Sequence, residues 1–134
     1  MRAAALGLLL CLGWGTQPEL RTVALPAEGK PCPMPGGGYF LYGFASKPKM
    51  GTVVLRLRLF DKGGKRSTAF QVLGRTGMPA MKGAHDSGDI PFKLNKKGDY
   101  LLPVEVAMPG EWEVVLTFRK SGKELYRGSL RFSV

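Results

Sequence analysis

An all-β fold is predicted by three features of the sequence. Apolar residues recur at every second position over short runs, glycine-rich or charged turns separate the runs, and no stretch carries helical periodicity. Seven such runs at regular spacing argue for a two-sheet antiparallel β-sandwich of immunoglobulin type. The Cys pair that staples antibody domains is absent.

The chain opens with Met1 and Arg2, then an uncharged, Leu-rich run from Ala3 to Trp14, the pattern of an export signal. The run is shorter than the roughly 20 residues of a spanning helix. Gly13 and Gly15 suit cleavage after Gly15, and cleavage after Ala27 is a second option. A cleaved signal over 1–15 and a periplasmic or secreted protein are therefore expected, with an uncleaved N-terminal anchor as the alternative. Residues 16–38 carry Pro18, Pro26, Pro31, Pro33, Pro35 and then Gly36-Gly37-Gly38, which resists helix and interior strand and predicts a linker or extended leader. The globular domain is expected over 39–134.

Within it, Tyr39 to Ala45 forms a first short strand. Thr52 to Phe60 sets Val53, Leu55, Leu57 and Leu59 on one face and Arg56 and Arg58 on the other. Ala69 to Gly74 and Ile90 to Leu94 are shorter strands, separated by a long segment from Arg75 to Asp89. Asp99 to Met108 turns Tyr100, Leu102, Val104, Val106 and Met108 one way and Pro103 the other, which predicts an edge or a bulge there. Glu111 to Arg119 places Trp112, Val114, Leu116 and Phe118 inside, and Tyr126 to Val134 repeats the device with Leu130, Phe132 and Val134. Gly in Asp61–Lys65, Lys96–Asp99 and Lys120–Lys123 supplies the positive φ of hairpin turns.

At 134 residues the chain is too short for a multidomain enzyme, and a mean hydropathy of -0.05 excludes a membrane bundle. Two Cys cannot form a disulfide scaffold. The net charge of +10 points to anionic partners. For an exported protein these are an acidic partner protein or, by peripheral contact, an anionic membrane surface, and not nucleic acid.

The Arg75 to Asp89 segment draws attention because long loops in compact domains often carry function. It holds Met78, Met81 and His85, the only His. Thioethers select Cu(I) and imidazole suits copper in either state, so Met78, Met81 and His85, joined by Met108, form a candidate copper site. Asp86 is placed to orient the imidazole. The structural alternative makes Met78, Met81 and Met108 an apolar plug at one end of the sandwich, with His85 a plain loop residue. Cys32 falls in the leader, where its neighbours suggest no fixed position, so an inert or intermolecular thiol is expected before a copper ligand.

An enzyme is not expected. A lone His has no nucleophile elbow or Cys motif around it, and no c-type haem motif, Cys-x-x-Cys or phosphate loop is present. Glu111 and Glu113, about 7 Å apart on one strand face, read as solvated carboxylates. The alternative to copper handling is a metal-free interaction module, docking through a charged face of Arg56, Arg58, Arg127 and Arg131.

The run Gly77-Met78-Pro79-Ala80-Met81, then Lys97-Gly98-Asp99-Tyr100, then Met108-Pro109-Gly110-Glu111-Trp112, resembles the YtkA-like domain family, with its Met-Pro-x-Met loop, Gly-x-Tyr strand start and Met-x-Gly-x-Trp turn. The resemblance covers Tyr39 to Val134. It implies an exported or membrane-tethered immunoglobulin-like domain related to FixH-like proteins, which are associated with copper delivery to respiratory oxidases. The partner it implies is a copper-trafficking or membrane-complex protein of the cell envelope. The family's Met loop maps to Met78 and Met81, and its later Met to Met108.

Overall fold

The structure, a computed structural model, describes residues 20–134. The expected signal segment lies outside the described residues. Ten strands follow in order: β1 (Thr22–Ala24), β2 (Cys32–Pro33), β3 (Tyr39–Phe44), β4 (Gly51–Phe60), β5 (Gln71–Gly77), β6 (Ile90–Pro91), β7 (Lys93–Leu94), β8 (Tyr100–Val106), β9 (Glu111–Lys120) and β10 (Lys123–Ser133). They form two five-stranded sheets, β1-β10-β9-β5-β6 and β2-β3-β4-β8-β7, and the protein is an all-β sandwich. Among the described residues no helix is long and apolar enough to cross a membrane.

Strict alternation builds the core. Val53, Leu55, Leu57 and Leu59 of β4 face Trp112, Val114, Leu116 and Phe118 of β9, all essentially without solvent exposure. Phe40 and Phe118 join the sheets with ring centroids 4.9 Å apart, as do Phe44 and Phe132 at 4.9 Å. Gly74 leaves room for side chains of the opposite sheet, since a Cβ there would lie 2.5 Å from Leu102 Cδ2. Pro103 sits on the exposed face of β8, whose outer edge is paired by β7 at Tyr100 and Leu101 alone, so the edge position expected for it holds.

Three expectations are corrected. The leader is not a free linker. Thr22–Ala24 pairs in parallel with Arg127–Ser129, Cys32–Pro33 pairs with β3, and Cys32 and Met34 are buried in the core. Proline is tolerated here because Pro31 and Pro33 lie exposed at a sheet edge, where a missing donor costs no ladder bond. The parallel pair also makes the first sheet mixed rather than purely antiparallel.

The expected strand Ile90 to Leu94 is in fact two short strands in different sheets. The chain crosses between sheets at Phe92, whose N–H is donated to Val72 O at 2.8 Å and whose ring is buried, while Ile90 and Leu94 are exposed. Finally, β5 runs three residues further than expected, through Gly77, and so shortens the loop that follows.

Candidate metal-binding pole

The strands run between two poles. At one of them lie the β3–β4 connection, the loop from Met78 to Asp89, the Ala107–Gly110 turn and the C-terminus, because Gly51 pairs with Val106, Gly77 with Glu113, and Gly110 with Val134. All four sequence-predicted ligands, Met78, Met81, His85 and Met108, are at this pole.

The loop is held closed from both sides. The Ser87 N–H is donated to Thr76 O at 2.9 Å, and the Thr76 N–H to Ser87 Oγ at 2.9 Å. Arg75 grips Asp86 in a bidentate pair at 2.9 and 2.7 Å. The hydrogen bond from Arg75, with another from the Gly88 N–H, holds the Asp86 carboxyl below the ordinary carboxylate range. Asp86 therefore serves Arg75 and the loop backbone, which corrects the expectation that it would orient His85.

Between these ties a single 3-10 turn spans Pro79–Met81, where proline suits the first turn because no donor is needed. The turn separates its two thioethers. Met78 is 6% exposed and belongs to the core, whereas Met81 is 40% exposed. The Met81 N–H is donated to Met78 O at 3.0 Å.

Trp112 is the centre of the pole. It is 1% exposed and donates its indole N–H to Met108 O at 3.0 Å. The His85 ring lies 5.8 Å from the Trp112 ring, and His85 takes a left-handed φ of 61° to present it there. Met78 reaches the same turn from the other side: a Cβ on Gly110 would lie 2.8 Å from Met78 Cε, and Gly110 has a φ of 138°. Met108 is half-buried and packs on the core.

His85 thus lies beside the Trp112 ring, Met78 against Gly110 of the adjoining turn, and Met108 in that turn through its main-chain carbonyl, with Met81 on the solvent side. Met78 and His85 line different clefts, however. One of about 410 Å³ holds Met78 with Lys82, Asp86, Glu113 and Arg131, and the other, of about 390 Å³, holds His85 with Trp112, Ile90 and Glu105. Among the described residues no group of three or more His, Cys, Asp or Glu could hold a metal ion.

Sequence reasoning missed Met50. It precedes β4, is 48% exposed, and the Gly51–Val106 pairing brings it alongside the Ala107–Met108 segment. Its only signal was a thioether in a Pro- and Lys-containing turn, since nothing in spacing ties residue 50 to residue 108.

The expected single charged face is also corrected. Arg56 and Arg58 lie on the outer face of one sheet, and Arg127 and Arg131 on the outer face of the other. Three of them are paired: Arg58 with Asp99 at 3.1 Å, Arg127 with Glu124 at 2.8 Å, and Arg131 with Glu111 and Glu113 at 3.2 and 3.4 Å.

No family model matches the chain, and no curated protein matches it. Among solved structures it is similar to the as-isolated form of FetP from uropathogenic Escherichia coli, expressed in the periplasm, at 10% identity and a TM-score of 0.54, covering 80% of this chain and 93% of that one. A copper-bound variant of the same FetP matches at 10% identity and a TM-score of 0.49, over 79% of this chain and 93% of that one. The likeness to the as-isolated form supports the two-sheet fold.

Proposed function

We propose that the protein is an exported copper-handling module that holds Cu(I) reversibly at the Trp112 pole. The observation that carries the reading is that Met78, Met108 and His85 share one pole of the sandwich: His85 beside the Trp112 ring, Met78 against Gly110, and Met108 in the turn whose carbonyl takes the Trp112 indole N–H. Soft sulfur with imidazole is the donor chemistry that Cu(I) prefers at low coordination number. FetP, whose fold this chain shares, has a variant that is copper-bound. For this chain the reading rests on its own donor set and on the Met-Pro-x-Met loop, which resembles that of YtkA-like domains.

Each residue has a distinct part. Met78 offers sulfur from the core side and Met108 from the half-buried turn, His85 offers imidazole held against Trp112, and Met81 stands in solvent one turn away, where an incoming or departing ion would meet it first. The Arg75–Asp86 pair and the Thr76–Ser87 bonds keep the loop in register while the ligands exchange. No bond is made or broken in a substrate; the function is capture and transfer. The apolar run after Arg2 supports export, and the receiving partner is a copper-trafficking or membrane-complex protein of the cell envelope.

The test is a titration of the reduced full-length chain with Cu(I) in competition with a chromophoric chelator. Trp14→Phe leaves Trp112 as the only indole, so its fluorescence reports on the pole. One-to-one binding with quenching of Trp112 is expected. Met78→Leu, Met108→Leu and His85→Ala should each weaken it by at least about tenfold, a loss that even an outer-shell partner can cause. Cys32→Ser should leave it intact. A wild-type chain that fails to compete with the chelator overturns the reading.

A further inference from the structure

The pole opposite Trp112 has a different chemistry. There the Asp61–Lys65 turn, the Asn95–Asp99 turn and the β9–β10 hairpin come together. Arg66 bridges the first two by donating to Lys97 O at 3.3 Å, and Phe60, Asp61, Lys62, Phe70 and Lys120 line one shallow cleft between the sheets. The three turns present Lys62, Lys65, Lys96, Lys97, Lys120 and Lys123, all exposed.

These lysines are not neutralised in place. Among the described residues every ion pair is made by arginine, and none by lysine. The acids at this pole are already engaged. Asp61 accepts the backbone N–H groups of Gly63 and Lys65, Asp99 lies buried beneath Arg58 and Arg66, and Glu124 takes Arg127 and Arg119. Six exposed lysines, Lys120 with its ammonium 5.4 Å from the Phe70 ring centroid, thus crown one end of a sandwich whose other end carries the candidate ligands.

A second, independent observation concerns the path of the chain. Because β1 runs parallel to β10, with Thr22 opposite Arg127 and Ala24 opposite Ser129, the backbone enters β1 from the Lys123 end. Leu20 and Arg21, which precede Thr22, therefore lie on the side of the lysine pole.

We propose that the lysine pole is the face the protein lays against an anionic lipid surface. Ammonium groups within a Debye length of acidic head groups each add to binding, and several together act as a polybasic patch. In this orientation the Trp112 pole stands away from the bilayer by about the length of β4, ten residues or roughly 30 Å, open to a soluble or membrane-held partner.

The experiment measures sedimentation of the full chain with phosphatidylcholine vesicles, with and without phosphatidylglycerol. The Lys62→Gln, Lys96→Gln, Lys97→Gln triple variant is compared with the charge-matched Lys47→Gln, Lys49→Gln, Lys82→Gln variant at the other pole. All six positions are exposed, so circular dichroism should show both variants folded. The expected result is tighter binding to the anionic vesicles, reversed by about 0.5 M salt. The lysine-pole variant should bind about tenfold or more weaker, and the matched variant should stay within about threefold of wild type. Equal losses in both variants, equal binding to neutral and anionic vesicles, or capture by polyglutamate without vesicle binding would each overturn the proposal. None of these outcomes depends on copper.

Discussion

Cys32 shows how one side chain responds to its surroundings. It is fully buried, and burial pushes its thiol from 9.0 up to about 11. The folded thiol is therefore protonated at neutral pH and should resist iodoacetamide until the protein unfolds. Above pH 9 the unfolded thiol ionises while the folded one does not, so its contribution to stability is lost between pH 9 and 11, by about 2 to 3 kcal/mol. Burial moves Tyr42 and Tyr126 in the same direction and adds to the alkaline loss. Urea midpoints at pH 8 to 11 should fall more steeply for the wild type than for Cys32→Ala; parallel curves would show that the thiol plays no part. This burial was not legible in the sequence, where Pro31 and Pro33 suggested loose chain. The Met loop was legible as a group of soft ligands. That Met78 turns inward and Met81 outward depends on the ties from Thr76 and Arg75, which no spacing reveals.

Strands were legible wherever one face is buried and the other wet, as in β4, β8, β9 and β10, because alternation records that contrast directly. It fails for β1, whose three residues are all exposed, and for Ile90 to Leu94, where only Phe92 is inside. Turns were legible through glycine. The β9–β10 hairpin turns on Ser121 and Gly122, with φ of 54° and 75°, the two positive values of a type I′ turn. Serine bears a left-handed penalty there that asparagine relieves. Ser121→Asn is therefore expected to stabilise the protein by up to about 1 kcal/mol and to raise the thermal midpoint by roughly 2–5 °C. An unchanged or lower midpoint in calorimetry would contradict this account of the hairpin.

For the whole molecule, the sandwich class was legible from the number and spacing of the runs, but its two poles were not, since they emerge only when distant turns meet. Nor was the strand that ties the leader to the C-terminal strand. Leu25 packs over Gly128, where a Cβ would lie 2.7 Å from Leu25 Cδ2, and the Leu25 N–H is donated to Ser129 O at 2.9 Å. Deleting residues 20–25 should uncover the outer edge of β10. The urea midpoint is expected to fall by the equivalent of about 1–1.5 kcal/mol, less than the value of a fully buried Leu because Leu25 is only partly buried. An open edge also invites pairing with a second chain, so light scattering should report concentration-dependent association; a monomer of unchanged stability would show that β1 is dispensable.

The β1–β10 pairing also sets an order of events. The first of the described strands has as its partner the last of them, so β1 stays unpaired until β10 has been made, and closing so long a loop delays it further. Tyr126 of β10, close enough to Cys32 for the two to influence each other's charge, arrives just as late. A nascent chain thus carries an accessible thiol that the finished molecule hides, and the time before β10 docks is when an oxidant or another thiol can reach it.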